Sequence, residues 1–150
     1  MAKKSSVDQL NSFLRGEISA VETYRLALEK LDPGSPARAE VSACMASHED
    51  RVDMLREAII AVGGEPATGS GTWGAFAKVV EGGARLLGDR AAVAALEEGE
   101  DHGLKDYRSD INDLDDQSRI LISNRLLPLQ QQTHDRMSSL KKRLAAERSS

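Results

Sequence analysis

Apolar side chains recur every three or four residues over long stretches of this chain, and nowhere do they alternate as a half-buried strand requires. Turn signals divide the pattern into four long segments. The first runs from about Ser6, a suitable N-cap, to Leu31, and stops at Asp32-Pro33-Gly34. The second opens at Ser35-Pro36, where proline suits a first helical turn, and ends at Gly63-Gly64. After Gly69-Ser70-Gly71 a shorter helical segment covers Trp73 to Leu87 and closes at Gly88. The third long helix starts at Asp89, a good N-cap, and reaches about Leu114. Asp115-Asp116 interrupts, and the fourth covers Gln117 to Glu147, with a kink predicted at Pro128, which lacks the N–H of a helical hydrogen bond. The pattern is all-α.

Helices joined by tight turns are antiparallel neighbours, which pairs the first with the second and the third with the fourth. The link between the second and third is long and carries a helix of its own. A helix of about 25 residues is ~37 Å long at 1.5 Å per residue, and such a link can return the chain along the whole bundle. One long crossover of this kind separates a crossover bundle from a simple up-down-up-down one.

Polar residues occupy the centres of the apolar stripes. In the first helix Leu10, Phe13, Leu14, Val21, Tyr24, Leu28 and Leu31 all fall within about 60° of Glu17. In the second, Val41, Cys44, Met45, Val52, Leu55, Ile59 and Val62 centre on His48. In the third, Val93, Leu96, Leu104, Tyr107, Ile111 and Leu114 centre on Glu100. The fourth is less regular: Ile122, Leu126, Met137, Leu140 and Leu144 point to one side of His134, and Gln131 also lies at the stripe's edge. A lone buried carboxylate is costly unless it is neutralised or paired. The halves also echo one another. Gly16-Glu17 precedes Tyr24 as Gly99-Glu100 precedes Tyr107, each by two helical turns, and Ser47-His48 has its echo in Thr133-His134. Each predicted hairpin contributes one Glu and one His at nearly the same depth.

Composition narrows the function classes. One hundred and fifty residues make a single domain, 1-150, the expectation. A net charge of −4 supplies no global basic field for nucleic acid, and 3% aromatics are too few for stacking platforms. Lys141-Lys142-Arg143 reads as favourable charge at a helix end. A single cysteine, Cys44, forms no intramolecular disulfide. No apolar run approaches the ~18 residues of a membrane span, and Met1-Ala2-Lys3-Lys4 leads into polar sequence. A cytoplasmic protein with neither membrane nor nucleic acid as partner is expected. The chain has no phosphate-binding glycine loop and no nucleophile elbow.

In Leu14-Arg-Gly-Glu-Ile-Ser-Ala-Val-Glu-Thr-Tyr24, Ser47-His-Glu-Asp-Arg51, Gly71-Thr-Trp-Gly-Ala-Phe76, Glu98-Gly-Glu-Asp-His102 and Gln131-Gln-Thr-His134 the chain resembles the ferritin-like superfamily. Within it, the resemblance is closest to an uncharacterised bacterial branch, a domain of unknown function akin to rubrerythrin and bacterioferritin bundles. It extends from Leu10 to about Leu144. The resemblance implies a four-helix bundle with a short crossover helix between the second and third long helices. In the superfamily a Glu from each of two helices and a Glu-x-x-His pair from each of the other two bind metal. Glu17 and Glu100 match the single carboxylates, and His48 and His134 match the histidines. Met45 and Gln131 stand where the bridging glutamates would be, which favours a single ion over a di-iron site.

Two functional readings follow. In the first, Glu17, His48, Glu100 and His134 bind one divalent metal ion per chain, iron, zinc or manganese, in a small bacterial protein with a redox or stress-related role. In the second, the bundle is structural or serves interaction, and its polar core is a relic without metal. The sequence leaves open whether the protein is an enzyme. Cys44 and Met45 read as core residues rather than ligands, Tyr24 and Tyr107 as core residues with satisfied hydroxyls, and His102 as an outer-face residue. Gly82-Gly83 suggests close packing in the crossover helix. Trp73 and Phe76 are expected to dock that helix on the bundle, or to be buried in a homodimer, the expected oligomer.

Overall fold

A computed structural model describes residues 4–70, 78, 82, 88–109 and 111–149. Its helices are α1 (Lys4–Lys30), α2 (Ala37–Ala61), α3 (Asp89–Ser109), α4 (Asp116–Leu121), a π-helical turn (Ile122–Leu126) and α5 (Leu127–Ser149). Among the described residues there is no strand, and no helix is long and apolar enough to cross a membrane. The expected crossover helix, with Trp73, Phe76 and Gly83, lies outside the described residues apart from Lys78 and Gly82.

The helix ends follow local chemistry. Gly63, at φ 83°, takes the left-handed position that closes α2. The Gly63 N–H donates to Ile60 O at 3.0 Å and the Gly64 N–H to Ile59 O at 2.9 Å, the two bonds of a Schellman motif. Gly64 must also lack a side chain, since a Cβ there would lie 2.7 Å from Val7 Cγ1. At the other end of α2, Arg38 Nη1 donates to Leu28 O at 2.8 Å and satisfies a last-turn carbonyl of α1. Asp115 caps α4 by accepting from the Ser118 N–H, and Ser6 Oγ donates to Asp115 at 2.6 Å, tying the start of α1 to the connection after α3.

Cross-helix bonds fix the topology. Tyr24 of α1 donates to Glu100 of α3, and Tyr107 of α3 donates to Glu17 of α1. Each tyrosine lies two turns beyond the glutamate of its own helix, so this exchange requires α1 and α3 to be antiparallel. The α1–α2 pair is an antiparallel hairpin. Glu97–Lys141 and Glu100–Thr133 make α3 and α5 antiparallel, and Glu40–Arg136 with Arg51–Thr133 do the same for α2 and α5. Around the molecule the order is therefore α1, α2, α5, α3, and α2 and α3 run in the same direction. The connection between them must return the full length of a helix. Its start already turns back along α1: Asn11 donates to Glu65 O at 3.0 Å and accepts from Ala67 N at 2.7 Å.

Pro128 shapes the last long helix. Its ring would clash with the carbonyl four residues before it in a regular α-helix. The turn ahead of it is π-helical, and the Leu127 N–H reaches back to Ile122 O. The apolar core falls into two clusters. Ala20, Tyr24, Val41, Cys44, Leu96, Met137 and Leu140 belong to one, and Leu10, Leu14, Leu55, Ile59, Tyr107, Ile122 and Leu126 to the other.

Candidate functional site

Between those clusters lies a layer of polar side chains sealed from solvent. Glu17 projects from α1, His48 and Arg51 from α2, Glu100 from α3, and Gln130 and Thr133 from α5. His48, Arg51 and Glu100 are fully buried and Glu17 is 3% exposed. Arg51 heads the largest fully buried side chains, which is unusual for a charged residue unless it is paired.

His48 is the hub. Its Nδ1 lies 2.5 Å from Glu17 Oε1 and its Nε2 lies 2.6 Å from Glu100 Oε2. Ionised carboxylates only accept, so with Glu17 and Glu100 both held ionised, as their lowered pKa values require, both ring nitrogens donate and His48 is an imidazolium. The remaining carboxylate oxygens are also engaged. Glu17 Oε2 accepts from Tyr107 OH at 2.5 Å and from Arg51 Nη1 at 3.4 Å. Glu100 Oε2 accepts from Tyr24 OH at 2.5 Å, and Glu100 Oε1 from Gln130 Nε2 at 2.9 Å and Thr133 Oγ1 at 2.6 Å. Arg51 also donates from Nη1 to Gln130 Oε1, and from Nη2 to Ser47 Oγ at 3.1 Å and Thr133 Oγ1 at 2.8 Å. Two carboxylates and two cations make the layer neutral. Among the described residues, Arg51 Nε is the one buried side-chain N or O atom without a partner.

The electrostatics agree with that assignment. Burial acts to raise the Glu17 carboxyl, but the charges of Arg51 and His48, with bonds from His48 and Tyr107, hold it down at about 2. Burial opposes ionisation of Glu100 too, and His48, Arg51 and Thr133 overcome it, so its pKa is lowered. For His48, burial and Arg51 favour the neutral ring, yet Glu100 and Glu17 prevail and the pKa is raised. Burial, then the neighbouring carboxylates, push both tyrosines well above their ordinary range, so the hydroxyls stay protonated and donate.

Glu17, His48 and Glu100 therefore converge. His134 does not join them: its side chain is 22% exposed, with Nε2 3.7 Å from Asp101 and Nδ1 3.4 Å from Asp135. Gln131 also faces outward, accepting from Arg108 at 2.9 Å. Met45 packs against both apolar clusters. Cys44 is buried, and burial with the nearby Glu100 pushes its thiol to about 12, away from a ligating thiolate.

Sequence reasoning passed over Arg51, Gln130 and Thr133. Arg51 stands three residues after His48 on the same face. Gln130 and Thr133 continue the spacing of Met137, Leu140 and Leu144, all buried, and this repeat places His134 one step beyond the seam.

These contacts bear on metal binding. Among the described residues, no group of three or more His, Cys, Asp and Glu side chains could hold a metal ion. The geometry gives the reason: the imidazolium stands between the two carboxylates, with a proton directed at each, so its nitrogens offer no lone pair. The adjacent guanidinium would also repel a cation. Its unpartnered N–H calls for an acceptor and would gain nothing from a metal. The residues do not fit a divalent ion in this arrangement.

A model of the family described as "Domain of unknown function (DUF2383)" matches residues 5–113, which include Glu17, His48, Arg51 and Glu100 and stop short of Gln130 and Thr133. No curated protein and no solved structure matches the chain.

Proposed function

This chain belongs to the DUF2383 family, and from that membership and the ion layer we propose that it is a ferritin-like four-helix bundle acting as a structural or interaction module without metal. The ring order α1, α2, α5, α3 and the parallel run of α2 and α3 support the fold, because a bundle with one long crossover has this arrangement. One observation carries the functional reading: both nitrogens of buried His48 are occupied by carboxylates, at 2.5 and 2.6 Å. A metal ligand needs a free nitrogen, and a redox site also needs an open coordination position. This layer is filled by its own donors and acceptors. Its role is to fix helix depth and register, and any interaction uses the outer surface.

Imidazole ¹⁵N spectra of the full chain at neutral pH test this reading. Two protonated His48 nitrogens, unchanged after incubation with Fe²⁺, Zn²⁺ or Mn²⁺ and after chelation, are expected. Broadening or a shift of one nitrogen at one ion per chain would restore the metal reading.

A further inference from the structure

We infer that His48 and Arg51 are counter-ions built into the chain, supplying the positive charge that a metal brings to a ferritin-like core. This inference rests on the fold reading above and adds a role for Arg51. Six inward side chains make the layer: single glutamates on α1 and α3, and pairs spaced i, i+3 on α2 (His48, Arg51) and on α5 (Gln130, Thr133). A ferritin-like metal centre has the same plan, one Glu from each of two helices and a Glu-x-x-His pair from each of the other two. Placed by burial and contact, the pairs read His-x-x-Arg and Gln-x-x-Thr. Both bridging carboxylates are thereby replaced, one by a cation and one by a neutral amide, and the histidine positions hold a guanidinium and a hydroxyl.

Charge explains why these replacements belong together. Four carboxylates require two divalent ions to be neutral, whereas Glu17 and Glu100 alone require two single charges. His48 and Arg51 provide them. His48 reaches both carboxylates, and Arg51 reaches Glu17 directly and Glu100 through Gln130 and Thr133. The duplicated pattern is thus in phase with Gln130 and Thr133. Gln130 has the shape of the glutamate it stands for, and Gly103 gives it room, since a Cβ there would lie 2.8 Å from Gln130 Nε2.

If these positions are the metal positions, reversing the charges should reopen the cage. The variant His48→Glu/Arg51→His/Gln130→Glu/Thr133→His restores the full donor set. Titration with Co²⁺ alone, followed by its visible absorption and by circular dichroism, reads the result. Wild type is expected to bind none, and the fourfold variant two ions per chain, with helical content that depends on the ion. The half-reverted His48→Glu/Arg51→His is expected to take up one ion. A folded fourfold variant that binds no Co²⁺ overturns the inference while leaving the reading of the wild type intact. Variants that stay unfolded with saturating Co²⁺ also overturn it, because a regenerated cage would be held together by its ions. Co²⁺ bound at mid-bundle in the wild type would instead overturn the metal-free reading itself.

Discussion

Two carboxylates reach His48 from opposite edges of its ring, and the pH dependence of stability follows from the proton they retain. The folded pKa of His48 is raised above 6.5, so its contribution is complete below that value and is lost as pH rises through the folded pKa. Glu17 has the opposite sign. Its contribution is complete above 4.5 and is lost as pH falls towards about 2. Urea denaturation against pH is thus expected to show greatest stability for this layer between about 4.5 and 6.5, and a maximum displaced into the alkaline range would contradict the imidazolium assignment. Removing the hub leaves two buried charges facing one guanidinium. His48→Leu is expected to cost about 3–5 kcal/mol in urea unfolding, with no dependence on chelator. A melting point for this variant above that of chelated wild type would instead fit a lost metal ligand. At this scale the sequence was legible where short side chains marked the stripe centre, as with Glu17 and Glu100. Arg51 was not, because a long charged side chain three residues from a histidine reads equally as a surface residue with its stem on the core.

Single helices show where the chain has spare room and where it has none. Gly16 lies inside α1 with nothing within 4 Å of a built Cβ, whereas a Cβ at Gly103 meets Gln130 at 2.8 Å. Gly16→Ala is therefore expected to stabilise by about 0.5–1 kcal/mol through helix propensity. Gly103→Ala is expected to destabilise by about 1–3 kcal/mol, because it pushes Gln130 away from Glu100. Urea titration of both variants checks the pair, and equal shifts would show that the close approach of α3 and α5 is unimportant. The fourth helix was legible in part. Its apolar period, and the disturbance near Pro128, are plain in the sequence. The π-helical turn is a response to proline in three dimensions. His134 stood in for Gln130 and Thr133 because Thr133-His134 echoes Ser47-His48, whereas the spacing of Met137, Leu140 and Leu144 carried back along the helix leads to Thr133 and Gln130. The first three helices contain no such interruption, and their core faces were legible apart from Arg51.

Across the whole molecule, the ion layer separates two apolar clusters and touches all four long helices. Apolar seams with period 3.6 tolerate slippage by a turn, since a leucine one turn along still packs. A slip here would part His48 from both carboxylates and leave buried charges unpaired, at several kcal/mol per ion. The layer therefore contributes to the choice of one alignment more than to net stability. This separates two quantities in one experiment. Replacing Glu17, His48 and Glu100 by Leu, Arg51 by Met, Tyr24 and Tyr107 by Phe, Gln130 by Leu and Thr133 by Val removes the layer without stranding a donor. Unfolding free energy is expected to stay level or to rise by about 1–4 kcal/mol, as for other buried ion groups exchanged for apolar residues of similar size. Order is expected to fall, seen as narrowed amide dispersion and faster hydrogen exchange across the middle of the helices. A variant that keeps wild-type dispersion and gains stability would show that apolar packing alone fixes the register. One that loses several kcal/mol would show that the network is itself a main source of stability.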